Sequence, residues 1–555
     1  MKYDEWKINY YDDNGTGLRS LPPLLRALLT TRGLSGLDDL RDSFVPGSDE
    51  ALVDMGKAVA RITRAIENME KTAVYGDYDV DGITSAYILT DYLRSRALPV
   101  ELYIPDRFEE GYGLNMTAVE FLRDKGATLI ITVDCGITAQ AEVEFATSLG
   151  VDMIITDHHE CKGELPNAVA VIDPKRPDDS GAPLAGVGVT YKLIAALEGN
   201  RETVLDRYSD FIALATVADV MPLTGENRFL VEHGLEKMND APSLGISALI
   251  REAGIASPVT SSSIAYGLAP RINAAGRLGR SDTAAQLFLS RDPNTASRLA
   301  AELCDLNRAR QELEAEIWTQ AISRIGDTRP TEPLVLASEK WHQGVMGIVA
   351  SRLVELYCVP AIMISLDGDV GRGSCRSCDG FNIYSAISAC SDWLVGYGGH
   401  AQAAGFSIRR DCIDGFRDAM TDYFHENFAA TVSELSIDFA IRNPAWLSSA
   451  NVEALDRLEP YGNGNPKAIL CLLDAEMLEI TDIGGGKHLR LTLAKFGALF
   501  DCVFFGVNTA AVGLRAGDRI DAAFTPQIND FRGRRTVQLV IRDLRKAENI
   551  SENPA

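Results

Sequence analysis

The chain runs to 555 residues, more than one hydrophobic core supports, so three or four domains are expected. Hydrophobic residues make up 46% and charged residues 24%, ordinary values for a soluble globular protein. Its 54 basic and 78 acidic residues leave a net charge of −24, which argues against coating nucleic acid through overall charge but leaves room for a locally basic track.

No apolar run reaches membrane-spanning length, and the start Met1-Lys2-Tyr3-Asp4-Glu5-Trp6 lacks a signal-peptide core. The ten cysteines are scattered through core-like segments, which fits unpaired thiols and a cytoplasmic protein. Cys375 and Cys378 form a lone Cys-x-x-Cys pair, so no zinc site is expected.

In chain order, residues 1–70 read as a helical scaffold with amphipathic runs at 21–29 and 55–62. The β-prone run Ala73-Val74-Tyr75-Gly76 then leads into Asp77, Asp79 and Asp81, three acids in five residues before Gly82 and a helix-like segment. By itself the stretch is compatible with a solvated acidic turn, a calcium loop or a site for Mg²⁺ or Mn²⁺. An EF-hand wants Glu at its twelfth position, where Thr90 falls. Two further β-branched runs end alike, at Asp134-Cys135-Gly136 and at Asp157-His158-His159-Glu160. Three such runs separated by helix-length segments predict a parallel sheet buried on both faces. Ligands bind at the C-terminal edge of open parallel sheets, so these acids and histidines are expected to converge. Asp219, closing the apolar run 211–218, is a fourth candidate or merely a cap.

Within this unit, Arg107 and Tyr112 in a glycine-rich segment suit a phosphate and a base, with a polar linker as the competing reading. Further on, Arg271, Arg277 and Arg280 stand among small residues that let a backbone approach a ligand. Leu299, Leu303, Leu306, Leu313 and Ile317 then recur at helical spacing, which predicts one long connecting helix.

A second α/β unit follows, with strand-like runs at 334–337 and 360–365. It carries His342, Arg352, Arg372, Ser374, Arg376 and the glycine-rich Gly398-Gly399-His400. Free N–H groups at glycine turns beside arginines make a phosphate-recognition surface the favoured reading. The tail, 440–545, turns to period-two patterns with glycine turns and predicts a small β-barrel. Lys487, Arg490, Arg532, Arg534 and Arg535 cluster there, as a single-strand binder would have them, though a structural barrel is also compatible.

Gly-Asp-Tyr-Asp-x-Asp-Gly, Val-Asp-Cys-Gly, Asp-His-His and Val-Ala-Asp-Val, in that order, resemble the four motifs of the DHH phosphoesterase superfamily. Gly-Gly-His is similar to the signature of its DHH-associated domain. Length, the Arg-Ile-Asn-Ala-Ala-Gly-Arg segment and the β-rich tail resemble the superfamily's single-stranded-DNA-specific exonucleases over nearly the whole chain. The resemblance implies an α/β protein with two α/β lobes, a DHH domain with a parallel sheet and a DHH-associated domain, joined by a long helix, plus a C-terminal OB-like barrel. The expected divisions are a scaffold (1–70), a DHH domain (71–290), a connecting helix (291–328), a DHH-associated domain (329–435) and an OB-like domain (436–547).

It also implies that Asp77, Asp79, Asp81, Asp134, His158, His159 and Asp219 hold two Mn²⁺ or Mg²⁺ ions, with Asp157 orienting the histidines. The implied activity is 5′-to-3′ hydrolysis of single strands to 5′-mononucleotides in DNA repair and recombination. Implied partners are single-stranded DNA, a single-strand binding protein and a RecQ-type helicase, with a monomeric enzyme and no membrane. A DHH enzyme acting on small nucleotides or pyrophosphate would need only the two lobes, and a non-catalytic strand binder would not need seven metal ligands.

Overall fold

The computed structural model describes residues 3–11, 18–41, 52–108, 110–111, 113–161, 163–179, 181, 183–326, 328–428, 432–531 and 533–547. The expected contacts of Tyr112 and Arg532, and the tail 548–555, lie outside them. Within the stretch read as a helical scaffold, β1 (Glu5–Ile8) is a strand, and it pairs in parallel with residues 434–437. Helix Pro23–Thr31 buries Leu24, Leu25, Leu28 and Leu29 in one core with the C-terminal barrel, whereas helix Met55–Glu67 joins the core of the first lobe. The two ends of the chain are therefore packed together.

The first lobe holds β2 (Thr72–Gly76), β3 (Val100–Tyr103), β4 (Leu129–Val133), β5 (Asp152–Thr156) and β6 (Ala170–Ile172). All pair in parallel, in the order β3-β2-β4-β5-β6. β2 and β4 are buried along their whole length, which is why their sequences are apolar runs rather than alternations. Strand order reverses about β2, so a crevice opens at the C-terminal ends of β2 and β4. The run 211–218 is the end of helix Arg201–Ala218, and Asp219 is its C-cap rather than the end of a strand.

Helix Pro293–Ile325 spans 33 residues; Leu299 and Leu303 belong to the first lobe's core and Ile317 to a core of the second lobe. That second lobe contains β7 (Leu334–Ser338), β8 (Ala361–Asp367), β9 (Val370–Arg376), β10 (Leu394–Gly399) and β11 (Ala403–Arg409), ordered β10-β11-β9-β8-β7. Only β7 and β8 pair in parallel.

After β12 (Glu434–Ile437), the partner of β1, come β13 (Phe439–Ala440), β14 (Leu470–Ile483), β15 (His488–Lys495), β16 (Ala498–Phe505), β17 (Arg519–Phe531) and β18 (Arg534–Lys546). The order β14-β15-β16-β18-β17 returns to β14 through the β14–β17 pairing, which closes a five-stranded barrel around Leu472, Leu491, Leu493, Phe524 and Leu539. Among the described residues, no helix is long and apolar enough to cross a membrane.

Candidate active site

The acids of the first motif are placed by a strand-to-helix turn. Asp77 leaves β2, and Asp79 caps helix Val80–Ser95, its Oδ1 accepting from the amides of Asp81 (2.9 Å) and Gly82 (3.0 Å). Asp81, in the helix's first turn, reaches across to the start of helix Gly186–Glu198: Oδ2 accepts from Gly186 N at 2.7 Å and Oδ1 from Val187 N at 2.8 Å. A helix N-terminus favours a carboxylate there. Gly186 is required at that spot, because a Cβ would come within 2.7 Å of Asp134 Cβ.

Asp134 follows β4, the histidine pair follows β5, and Asp219 arrives from the helical layer. Donor atoms of Asp77, Asp79 and Asp134 lie within 4.8 Å of one another, as do those of Asp81, His158 and Asp219, and those of Asp134, His158 and His159. His158 Nε2 is 3.0 Å from Asp134 Oδ1, 3.7 Å from Asp219 Oδ2 and 3.9 Å from Asp81 Oδ2. At 3.0 Å, the first of these still lacks hydrogen-bond alignment: Asp77 Oδ1, Asp134 Oδ1 and both ring nitrogens of His158 are buried without a hydrogen-bond partner.

Such orphaned atoms are costly unless something satisfies them. Burial, reinforced by neighbouring carboxylates, lifts the pKa values of Asp77, Asp81, Asp134 and Asp219 above the carboxylate range, and burial depresses that of His158. Buried oxygens aimed at one another beside a neutral imidazole form a donor set that fits hard divalent cations.

Asp157 is differently engaged. Oδ1 accepts from the His158 and His159 amides and from His159 Nδ1 at 2.7 Å, while Oδ2 accepts from Ile137 N at 2.9 Å. Burial would raise its pKa, but these bonds, the one with His159 foremost, hold it low. Burial likewise opposes the charge on His159, and the same bond outweighs it, holding that imidazole up to about 9.

Facing the acids is a cluster of arginines. Arg107 lies 4.9 Å over the Tyr78 ring, Arg277 Nη1 donates to Gly344 O (3.1 Å), and Arg376 Nη1 donates to Ser374 Oγ (3.3 Å). None of the three pairs with a carboxylate among the described residues. Burial, then Arg107, Arg376 and Arg310, push the Arg277 guanidinium down to about 10. The two lobes touch here, since a Cβ on Gly344 would strike the Arg277 carbonyl.

Arg372, Ser374 and Arg376 alternate along one face of β9. His342 caps helix Gln343–Tyr357, its Nδ1 accepting from Gly344 N at 3.2 Å. Gly399 and His400 line a cleft of about 500 Å³ together with Gly136, Asp157 and His159, and Gly398 lies next to them on β10.

Arg280 and Arg352 are each held by a glutamate. Arg280 pairs with Glu302, while Arg352 pairs with Glu314 and lies 4.2 Å over the Trp318 ring. In the barrel, Arg490 pairs with Asp501 and Arg535 with Glu453. Sequence reasoning missed the amides of Gly186 and Val187, and Asn273, whose Oδ1 accepts from Val80 N. The first two act through the backbone and carry no side-chain signal.

An acid-and-histidine cluster at the C-terminal edge of a parallel sheet, facing a second lobe across a cleft, defines a DHH-type phosphoesterase. Residues 71–216 match the DHH family N-terminal domain, 331–426 the DHHA1 domain and 437–543 the RecJ OB domain. The single-stranded-DNA-specific exonuclease RecJ of Bacillus subtilis is 35% identical over 545 residues, 95% of this chain and 68% of that protein. The crystal structure of Thermus thermophilus RecJ with Mn²⁺ is similar with a TM-score of 0.85 at 29% identity, covering 99% of this chain and 81% of that one. The structure of the same protein with Mg²⁺ gives 0.79 at 28%, covering 98% and 79%. The chain belongs to the RecJ family.

Proposed function

We propose that this protein is a single-stranded-DNA-specific exonuclease that hydrolyses the strand from its 5′ end at a two-metal centre, releasing 5′-mononucleotides in DNA repair and recombination. The observation that carries this reading is the seven-residue donor cluster with buried, unsatisfied Asp and His atoms, accompanied by Arg107, Arg277 and Arg376, which have no carboxylate partner among the described residues. Mn²⁺ or Mg²⁺ bound there would supply Lewis-acid stabilisation to the phosphoryl oxygens and to an attacking water. Asp77, Asp79 and Asp134 form one donor group, Asp81, His158 and Asp219 the other, and His159 adjoins both through Asp134 and His158.

Asp157 takes the proton on Nδ1 of His159 into a hydrogen bond, which fixes the ring and leaves Nε2 for the cleft. Arg107, Arg277, Ser374 and Arg376 hold the terminal phosphate, beside the point where the lobes touch at Arg277 and Gly344. Gly398, Gly399 and His400 hold the strand against the acids. The barrel extends the track for the rest of the strand.

A small-nucleotide phosphodiesterase would need neither the barrel nor the N-terminal strand and helix packed with it. The reading takes 71–290 as catalytic, 329–435 as substrate-binding and 436–547 as strand-binding. It extends, by resemblance, to a cytoplasmic monomer that works beside a single-strand binding protein and a RecQ-type helicase. Its test is metal-dependent release of nucleotides from end-labelled single strands.

A further inference from the structure

Val220, the residue after Asp219, has φ +56° and its side chain is 66% exposed. The helix end calls for that conformation: Val220 N donates to Val217 O at 3.2 Å and Met221 N to Thr216 O at 3.3 Å, the two-bond C-terminal cap that glycine usually completes. A β-branched residue in the left-handed region is nonetheless an outlier, because its Cβ crowds the following carbonyl. Burial of the side chain does not hold it there. Such backbone persists only where the surroundings over-determine it, and it clusters at functional sites.

Further support comes from 243 residues away. Asn463 Nδ2 donates to Val220 O at 3.0 Å, and the Asn463 carbonyl accepts from Leu223 N at 2.7 Å. One residue thus brackets the turn Val220–Leu223. The segment that presents it, 458–465, is itself bolted to the first lobe. Arg228 donates to the carbonyls of Leu458 and Glu459, and Ser261 Oγ donates to Tyr461 O at 2.6 Å. Asn465, only 1% exposed, donates to Leu458 O and Pro460 O and so fixes the loop's shape. Gly462 and Gly464 allow the approach: a Cβ on Gly462 would lie 2.7 Å from Leu223 Cδ1, and Gly464, at φ +73°, packs on Thr224.

We infer that Asn463 is a positioning residue for the metal centre: by bracing the Val220 carbonyl and the Leu223 amide, it steadies the strained helix cap and so fixes Asp219 against Asp81 and His158. The inference rests on the metal reading proposed above. It makes the segment leading into the C-terminal barrel part of the catalytic apparatus. Asp219 is the most exposed member of its donor trio and stands at the helix C-cap, past the last full turn, where added support counts. Asn463 supplies that support from outside.

The test is Mn²⁺ binding by calorimetry on the full chain, independent of cleavage. Asn463→Ala removes the side-chain donor and leaves the main-chain bond to Leu223; it is expected to weaken Mn²⁺ binding about 10-fold, the usual cost of losing an outer partner of a ligand. Asn463→Asp keeps the shape without the donor and is expected to match it, so the test stands even if the alanine variant folds poorly. Glycine tolerates positive φ, so in a Val220→Gly background the same Asn463→Ala change should cost less than about 2-fold. Unchanged Mn²⁺ affinity in both Asn463 variants overturns the inference, as does an equal loss in the Val220→Gly background. Asp219→Asn in the same titration separates the two readings: if it leaves Mn²⁺ binding intact, the metal assignment itself fails.

Discussion

Asp157 and His159 are joined Oδ1 to Nδ1 at 2.7 Å, and the same carboxylate oxygen accepts the main-chain amides of both His158 and His159. This carboxylate is therefore the anchor of the histidine pair, as the family resemblance implies. Asp157→Asn preserves volume but puts an amide in place of one acceptor oxygen. Mn²⁺ affinity should fall about 10- to 100-fold, with a smaller effect on single-strand binding in chelator. Calorimetry with Mn²⁺ beside strand binding in EDTA checks this.

The Asp134 carboxylate is buried beside other acids, and its Oδ1 has no hydrogen-bond partner. Its φ of +60° suits Asn as well as Asp. Asp134→Asn should abolish cleavage and yet raise the unfolding midpoint in chelator by a few degrees, about 1 kcal/mol. A lower midpoint in chelator would count against an uncompensated charge there.

Without metal, Asp77 titrates at about 8 and Asp81 and Asp219 at about 7, because burial and neighbouring acids disfavour their charge. These folded values lie above the unfolded ones, so ionisation opposes folding. Stability of the metal-free protein should fall as pH rises from about 4 to about 8. Cations reverse that repulsion, so the rise in melting temperature on adding Mn²⁺ should be larger at pH 8 than at pH 6. Differential scanning calorimetry at both values, with and without EDTA, measures it.

Arg376, without an acidic partner among the described residues, and Arg280, paired with Glu302, make a matched pair for testing the phosphate site. Arg376→Ala should raise KM for a 5′-phosphorylated strand by about 10-fold or more, the loss of one charge-assisted contact. The increase should be smaller for a 5′-hydroxyl strand, and Arg280→Ala should change either within about 2-fold. Steady-state kinetics on the two oligonucleotides decides.

Much of the site is legible in the sequence because it sits at strand ends: an apolar run followed at once by Asp77, Asp134 or Asp157 shows both the buried strand and the edge where it stops. Asp219 is legible both as a candidate ligand and as a cap, and the structure makes it the C-cap of a helix; an eight-residue apolar run by itself fits either a strand or a buried helix. The arginines divide by partner. Nothing in the local pattern tells that Arg277 has no carboxylate partner among the described residues while Arg352 is held by Glu314 on the connecting helix. Contacts made by main-chain atoms leave no pattern, as with Gly186 and Val187 on Asp81. The pairing of β1 with β12, and Asn463 on Val220, join segments too far apart for any periodicity to register.

The most direct test of the central claim is degradation of a 5′-labelled single strand beside its 3′-labelled and duplex forms, with Mn²⁺, with Mg²⁺ and with EDTA. The account predicts mononucleotides released from the 5′ end of the single strand alone, with either metal and not with chelator. Cleavage that persists in EDTA, or hydrolysis of dinucleotides or pyrophosphate with the DNA strand untouched, would contradict it.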